Sequence, residues 1–217
     1  MPTLYHFEGS PWCWKVRIAL AEKGIAYKAI VPVNRDKDPQ FQKLTPVGKV
    51  PVLVLDDGVS LIESTVINEY LEEKHPHPAL LPREPEARAR CRMIEEIADA
   101  YLAPALRLTF LARYRYDAGK IYRQKSVNRD QEAEGLKIAG GYLDYLDSQA
   151  GAREYLCEQF SLADIGLIPP ITRSARLLDL PMPQRWPNLA GWAERALARP
   201  SVKATAPPPY QILEEPV

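Results

Sequence analysis

Three short stretches hold the residues able to do chemistry. The first is "GSPWC", residues 9–13. Ser10 followed by Pro11 is a strong helix start: a serine at the N-cap accepts a bond from the first turn, and proline suits the next position. The same hydroxyl can donate to an anion, and the unpaired N–H groups of a helix N-terminus favour one there. A sulfur anion is the chemically interesting case. A free thiol has a pKa of about 8.5, so it is mostly protonated at neutral pH. Lowering it by about 2 units takes about 2.7 kcal/mol. One charge-assisted hydrogen bond, roughly 1.5–3 kcal/mol, is of that size. The second stretch, "IEST", sets Glu63 and Ser64 where a strand hands over to a helix. That corner suits a carboxylate, although a cap and an early acid explain the pair as well. The third, "GKVPV", opens a strand with Pro51, which cannot donate to a ladder. Lys49 and Val50 stand just before it, and a solvated lysine beside an edge strand is the plainer reading.

The elements that must position these residues alternate in type. "TLYHF" is a short β-type run. Residues 11–23 have helical spacing, with Val16, Ala19 and Leu20 on one stripe and Gly24 placed to end the helix. "AYKAIVPV" reads as a strand and "DPQFQKL" as a short helix. "VPVLVLDDGVSLIE" is two apolar runs around Asp57-Gly58, a hairpin signal. "STVINEYLEEK" is helical, with Val66, Ile67, Tyr70 and Leu71 at spacings of three and four. Then Pro76, Pro78, Pro82 and Pro85 interrupt the chain and stiffen a linker. Beyond it the pattern is helical over roughly 86–117, 122–148, 161–178 and 188–198, with a Pro-rich, extended tail. The expected architecture is an α/β domain at 1–77 and an all-helical domain at 86–217.

Composition removes several classes of function. The chain has 217 residues with 28 Lys+Arg against 28 Asp+Glu, so no basic field exists to hold a nucleic-acid backbone. The N-terminus lacks a signal-peptide pattern, and no apolar run is long enough to span a bilayer. The 3 cysteines are odd in number and scattered, which points to a reducing cytoplasm and not a disulfide framework. Cys91 and Cys157 read as small packing residues. His75 and His77 have no third ligand nearby, so no metal site is expected. Ser161 and Asp164 form a variant capping box with Phe160 as its staple, a structural device worth about 1 kcal/mol.

"SPWCWKVRIAL", "KLTPVGKVPVL", "LIESTVINEYLEE", "FSLADIGLIPPI" and "WPNLAGWAERALARPSV", in this order over essentially the full length, resemble the cytosolic-type glutathione transferases. The resemblance implies a thioredoxin-like domain followed by a helical one. It implies a cis Val50-Pro51 bond, with the Val50 backbone pairing the cysteinyl part of glutathione. Lys49 and Lys37 would sit at its glycine carboxylate, and Glu63 and Ser64 at its γ-glutamyl end. Glutathione would be the co-substrate, its thiolate held by the Ser10 hydroxyl and transferred to an electrophile. The family's architecture puts the electrophile pocket between the domains. Here it would be lined by Trp12 and by Arg107, Leu111 and Tyr114 on one face of the first long helix of the second domain. Phe110 and the tail residue Tyr210 would add an apolar or aromatic preference. A homodimer is implied as well.

The subclass follows from the tetrad. A serine at its first position argues against the cysteine-type omega and glutaredoxin-like members. The first two positions resemble the plant tau class, and "CWKVRIAL" resembles the zeta-class isomerases. Those usually carry Ser-Ser-Cys where this chain has Ser10-Pro11-Trp12, which weakens a maleylacetoacetate isomerase reading. Three alternatives stay open: a thioltransferase or dehydroascorbate reductase using Cys13, an isomerase, and a non-catalytic transferase-like interaction protein.

Overall fold

The computed structural model describes residues 1–33, 35, 37–117 and 120–214. The chain forms two units. Residues 1–81 cluster with 199–208, and residues 82–198 cluster with the segment from Pro209 onward.

In the first unit, the predicted starts and stops fix the elements. β1 is Thr3–Tyr5 and α1 is Pro11–Glu22, begun by Ser10-Pro11 and followed by Gly24 at φ 62°. β2 is Lys28–Ile30, shorter than the apolar run suggests. α2 is Pro39–Leu44, capped by Asp38, whose carboxylate accepts from Gln40 N and Phe41 N at 2.9 and 3.3 Å. β3, Val52–Val54, and β4, Ser60–Ile62, form the expected hairpin, and α3 is Ser64–Lys74. The turn is not the two-residue type that Asp57-Gly58 would make. Gly58 alone has positive φ, at 87°, and its N–H donates to Leu55 O at 3.0 Å. Asp57 keeps ordinary φ and accepts from Val59 N at 3.1 Å. This is the three-residue loop with a left-handed glycine. The sheet order is β2-β1-β3-β4, parallel between β1 and β2 and antiparallel elsewhere.

α1 is buried almost all round, not on a single stripe. Lys15 and Arg17 are buried with Val16, Ile18, Ala19 and Leu20. Part of that cover is α10, Pro200–Thr205, which returns from the far end of the sequence. Arg199 grips Glu22 with two bonds of 2.6 and 2.7 Å, and Trp14 Nε1 donates to Thr205 Oγ1 at 3.1 Å. The 199–208 segment assigned above to the helical half therefore packs with the α/β half. Lys23 spends its three donors on Glu72 at 2.6 Å, His75 O at 2.6 Å and Pro78 O at 3.0 Å, which is how a buried ammonium is tolerated.

The second unit is helical, but not wholly so. α4, Pro85–Glu96, runs through a π-helical turn at Ile97–Leu102 into α5, Ala103–Arg113. The widened turn lies next to Pro104, whose ring would clash with a carbonyl one ordinary turn back. α6 is Arg129–Ala150, and α7, Leu162–Pro169, passes into a second π-helical turn at Pro170–Ala175, again at prolines. α8 is Met182–Arg185 and α9 is Pro187–Ala198. Strand structure was not expected here, yet β5 (Tyr114–Asp117), β6 (Lys120–Arg123) and β7 (Ile212–Glu214) form a small sheet. α5 and α6 approach so closely that a Cβ on Gly135 would overlap Thr109 Oγ1.

The capping box is present and larger than a cap. Asp164 is fully buried at 0% exposure. It accepts from Ser161 N (2.9 Å), Ser161 Oγ (2.9 Å), Leu156 N (3.0 Å) and Trp192 Nε1 (2.8 Å), so it joins α7 to the preceding loop and to α9. Burial pushes its carboxyl above the ordinary range, against the pull of those donors.

Candidate functional site

The strand register decides what comes together in the first unit. Ile30, Tyr5, Val52 and Ile62 form one row across the four strands. With strands 4.7–4.9 Å apart, that row is about 14 Å wide. The chain leaves β1 here towards Ser10 and leaves β2 towards Lys37. It enters β3 here from Lys49, Val50 and Pro51, and leaves β4 into Glu63 and Ser64. The segments carrying all seven residues singled out for one site thus open from the same end of one sheet.

Ser10 is half-buried with extended backbone, φ −74° and ψ 125°, and its Oγ accepts from Cys13 N at 3.3 Å. No acidic residue stands in the first turn of α1, so the helix end stays electropositive. The loop delivering Ser10 is fastened from below. Arg17 donates to His6 Nδ1 (3.2 Å), Phe7 O (3.4 Å), Glu8 O (3.0 Å) and Thr205 O (3.0 Å). Arginine offers only donors, so His6 accepts as a neutral imidazole. Burial first, and the Arg17 charge second, hold its pKa below the usual value. Lys15 Nζ donates to Thr65 Oγ1 at 3.1 Å, tying α1 to the first turn of α3. Neither Arg17 nor Lys15 was singled out from the sequence. The one available signal was a pair of cations inside the otherwise apolar run "WKVRIAL". Cys13 has 0% exposure. Burial pushes its thiol up, against a hydrogen bond with the Ser10 side chain.

Glu63 is exposed, and its backbone lies at φ 66° and ψ 121°. A non-glycine residue there carries strain of order 1–3 kcal/mol, and such residues cluster at functional sites. It is Glu63 that occupies the N-cap of α3, and it makes no side-chain cap bond. Ser64 is the first helical residue and is buried, so the simple reading of Ser64 as the cap is replaced. Lys37 and Lys49 are exposed, Val50 is half-buried and Pro51 is buried. The Val50-Pro51 peptide is cis.

The four pocket candidates fare differently. Trp12, two residues after Ser10, is 40% exposed. In the second unit Arg107 and Leu111 lie on the exposed side of α5. Tyr114 does not continue their face. The helix stops at Arg113, where Gln124 donates its N–H to the Arg113 carbonyl at 3.0 Å and its side-chain amide to Leu111 O at 2.7 Å. Tyr114 begins β5 at 2% exposure, its ring 5.4 Å from Phe110. Tyr210 stacks under the Arg173 guanidinium at 3.9 Å. A cavity of about 500 Å³ in this unit is lined by Met93, Glu96, Ile97, Tyr101, Tyr142 and Tyr145, none of them a predicted pocket residue. Among the described residues, no group of His, Cys, Asp and Glu could hold a metal ion, and no helix is long and apolar enough to cross a membrane.

The four-stranded sheet and the helical unit each match a known family. Residues 4–79 match the family model of the glutathione S-transferase N-terminal domain, and residues 129–195 match that of the C-terminal domain. The chain belongs to the glutathione S-transferase family, whose co-substrate is glutathione. It is 34% identical over 181 residues to a maleylacetoacetate isomerase of Mus musculus, covering 81% of this chain and 79% of that protein. A glutathione S-transferase structure from Methylobacillus flagellatus with glutathione bound is similar at TM-score 0.80 and 30% identity, covering 96% and 100% of the two chains. Another, from Methylobacterium radiotolerans in complex with glutathione sulfonate, has TM-score 0.78 and 34% identity, covering 100% and 99%.

Proposed function

We propose that this chain is a cytoplasmic, homodimeric glutathione transferase that binds glutathione at the open end of its four-stranded sheet. The Ser10 hydroxyl donates a hydrogen bond to the thiolate, and the thiolate is transferred to an apolar or aromatic electrophile. The observation that carries this reading is the single row Ile30–Tyr5–Val52–Ile62, from which every anchor segment opens. The peptide-like backbone of Val50 is suited to pair with the cysteinyl part, as a strand pairs with an added peptide. The strained, exposed Glu63 carboxylate takes the γ-glutamyl ammonium, and Ser64 with the first N–H groups of α3 takes its carboxylate. Lys37 and Lys49 serve the glycine carboxylate. Trp12, exposed beside Ser10, offers an aromatic face to the electrophile. The buried Cys13, its thiol pushed up, speaks against thiol exchange at this site.

Replacing Ser10 tests the reading. Ser10→Ala retains glutathione, raises the pKa of the bound thiol and lowers turnover roughly 10- to 100-fold, the equivalent of about 1.4–2.8 kcal/mol. Thiolate absorbance of the binary complex against pH, with turnover in parallel, is the measurement. An alanine variant with the parent's titration and rate would reduce Ser10 to a cap. Light scattering at micromolar concentration checks the homodimer, and a monomer mass would remove it.

A second reading, glutathione-dependent isomerisation, is favoured by the name of the Mus musculus relative. The same thiolate adding to a conjugated alkene, and leaving after bond rotation, would return glutathione unchanged. Counting glutathione consumed per turnover separates the two: one per product for transfer, none for isomerisation.

A further inference from the structure

Arg17 stands about two turns into α1, on the same side as the Ser10 N-cap. Helical side chains lean towards the N-terminus, so an arginine there can lie back along the helix and reach the turn that precedes it. It does so at 6% exposure. Its guanidinium donates to His6 Nδ1 (3.2 Å) just after β1, to Phe7 O (3.4 Å) and Glu8 O (3.0 Å) in the turn, and to Thr205 O (3.0 Å) at the end of α10. Ser10 is bound to the same turn. Its N–H donates to Phe7 O at 3.2 Å, the carbonyl that Arg17 also holds. Its own C=O and Oγ accept from Trp14 N at 3.0 Å and Cys13 N at 3.3 Å. One guanidinium therefore joins the strand end, the turn, the helix and α10, and Ser10 is bonded to the turn on one side and to the helix on the other.

We propose that Arg17 is a positioning residue for the reaction: by fixing the Phe7 and Glu8 carbonyls against α1 and α10, it sets where the Ser10 hydroxyl meets the glutathione thiolate. The inference rests on the Ser10 reading above. A hydrogen bond weakens steeply as its angle drifts, and misplacing a catalytic group by about 1 Å can cost about 100-fold. Holding acceptors on two separate segments at once, 6–8 and Thr205, takes the planar fork of N–H donors that arginine has. Lysine brings the same charge on a single nitrogen and cannot span them all. The role is one of geometry, and it is separable from the charge. α10 enters the site by the same route, because Thr205 lends its carbonyl to the group that aligns the serine.

The test is the titration of glutathione's thiol in the binary complex, read as thiolate absorbance against pH. The parent, Ser10→Ala, Arg17→Lys and Trp192→Phe are compared. Arg17→Lys keeps the buried charge and loses the fork. It should raise the bound-thiol pKa by about 1 unit and lower turnover with an activated aryl halide about 10-fold. Glutathione affinity by calorimetry should stay at the parent value, because the anchoring residues stand on other segments. Trp192→Phe lowers stability in the other unit and should leave the titration where it is, which separates positioning from a general loosening of the protein. Arg17→Gln, uncharged, is the second variant and carries the same test should the lysine variant not fold.

An Arg17→Lys protein that titrates like the parent, beside a shifted Ser10→Ala, would overturn the inference and leave the Ser10 reading intact. So would a shift in Arg17→Gln with none in Arg17→Lys, which would make Arg17 a charge acting directly on the thiolate. A shift in Arg17→Lys with none in Ser10→Ala would overturn it as well, since the guanidinium would then act without the serine. If neither variant shifts, the Ser10 reading fails and this one with it.

Discussion

Asp164→Ala should be far more damaging than the loss of a helix cap, which costs about 1 kcal/mol. The carboxylate is completely buried and receives four hydrogen bonds, from Leu156 N, Ser161 N, Ser161 Oγ and Trp192 Nε1. Alanine leaves no acceptor in its place. The Ser161 hydroxyl can rotate to another partner, but three N–H groups cannot. Each buried donor left unsatisfied costs about 1–3 kcal/mol, and removing one partner from a buried charged network costs about 3–5 kcal/mol. The expected loss is therefore about 3–5 kcal/mol, a large share of the 5–15 kcal/mol typical of a folded protein. Because that variant can fail to fold, Trp192→Phe is the companion. It deletes a single donor and leaves Leu156 N on the same oxygen, so about 1–2 kcal/mol should go. Urea unfolding midpoints give both values. A folded Asp164→Ala protein that lost about 1 kcal/mol or less would refute the reasoning, as would Trp192→Phe costing as much as Asp164→Ala. Glutathione affinity should not change in Trp192→Phe.

Glu63 gives a second prediction. Glu63→Gly relieves the backbone at φ 66°, so stability should stay level or rise by up to about 1 kcal/mol, while glutathione binding by calorimetry weakens; a variant less stable but with normal affinity would make Glu63 structural. His6 gives a third. Its pKa is held below the ordinary 6.5, so the unfolded chain takes up a proton that the folded one resists. Stability is then level above pH 6.5 and falls as the pH drops towards the folded value. His6→Gln should flatten that limb of the thermal-melting profile, and an unchanged slope would assign it to other groups.

The legible parts of this fold are the local ones. Ser10-Pro11, Asp38-Pro39, Gly24 and Ser161/Asp164 each fix an element end with residues a few positions apart, and each end was readable for that reason. The anchor residues were readable because each stands at such an end. The unreadable parts depend on distance. Arg17 is buried because Thr205, 188 positions away, accepts from it, and Lys15 finds Thr65 50 positions away. Nothing in "WKVRIAL" announces either partner. The alternation in "YRYD" and "KIYR" did carry a strand period, but it followed directly on a helical pattern. Its outer partner, Ile212–Glu214, is supplied from the tail. Tyr114 was misplaced on a helix face because the stop at Arg113 is made by Gln124, a residue beyond the hairpin.

α10 has a consequence for how the protein is made. The ribosome releases residues 1–81 early, but the partners of Trp14, Arg17 and Glu22 in residues 199–208 emerge only after all of 82–198. At 5–20 residues per second that delay is roughly 6–23 s. Throughout it α1 lacks part of its cover, with an indole, a guanidinium and a carboxylate each short of a partner. Vectorial synthesis thus cannot finish the first unit first: it is completed by residues translated only after all of 82–198, and a nonsense codon anywhere before Arg199 would leave unfinished a unit most of whose residues had already been made.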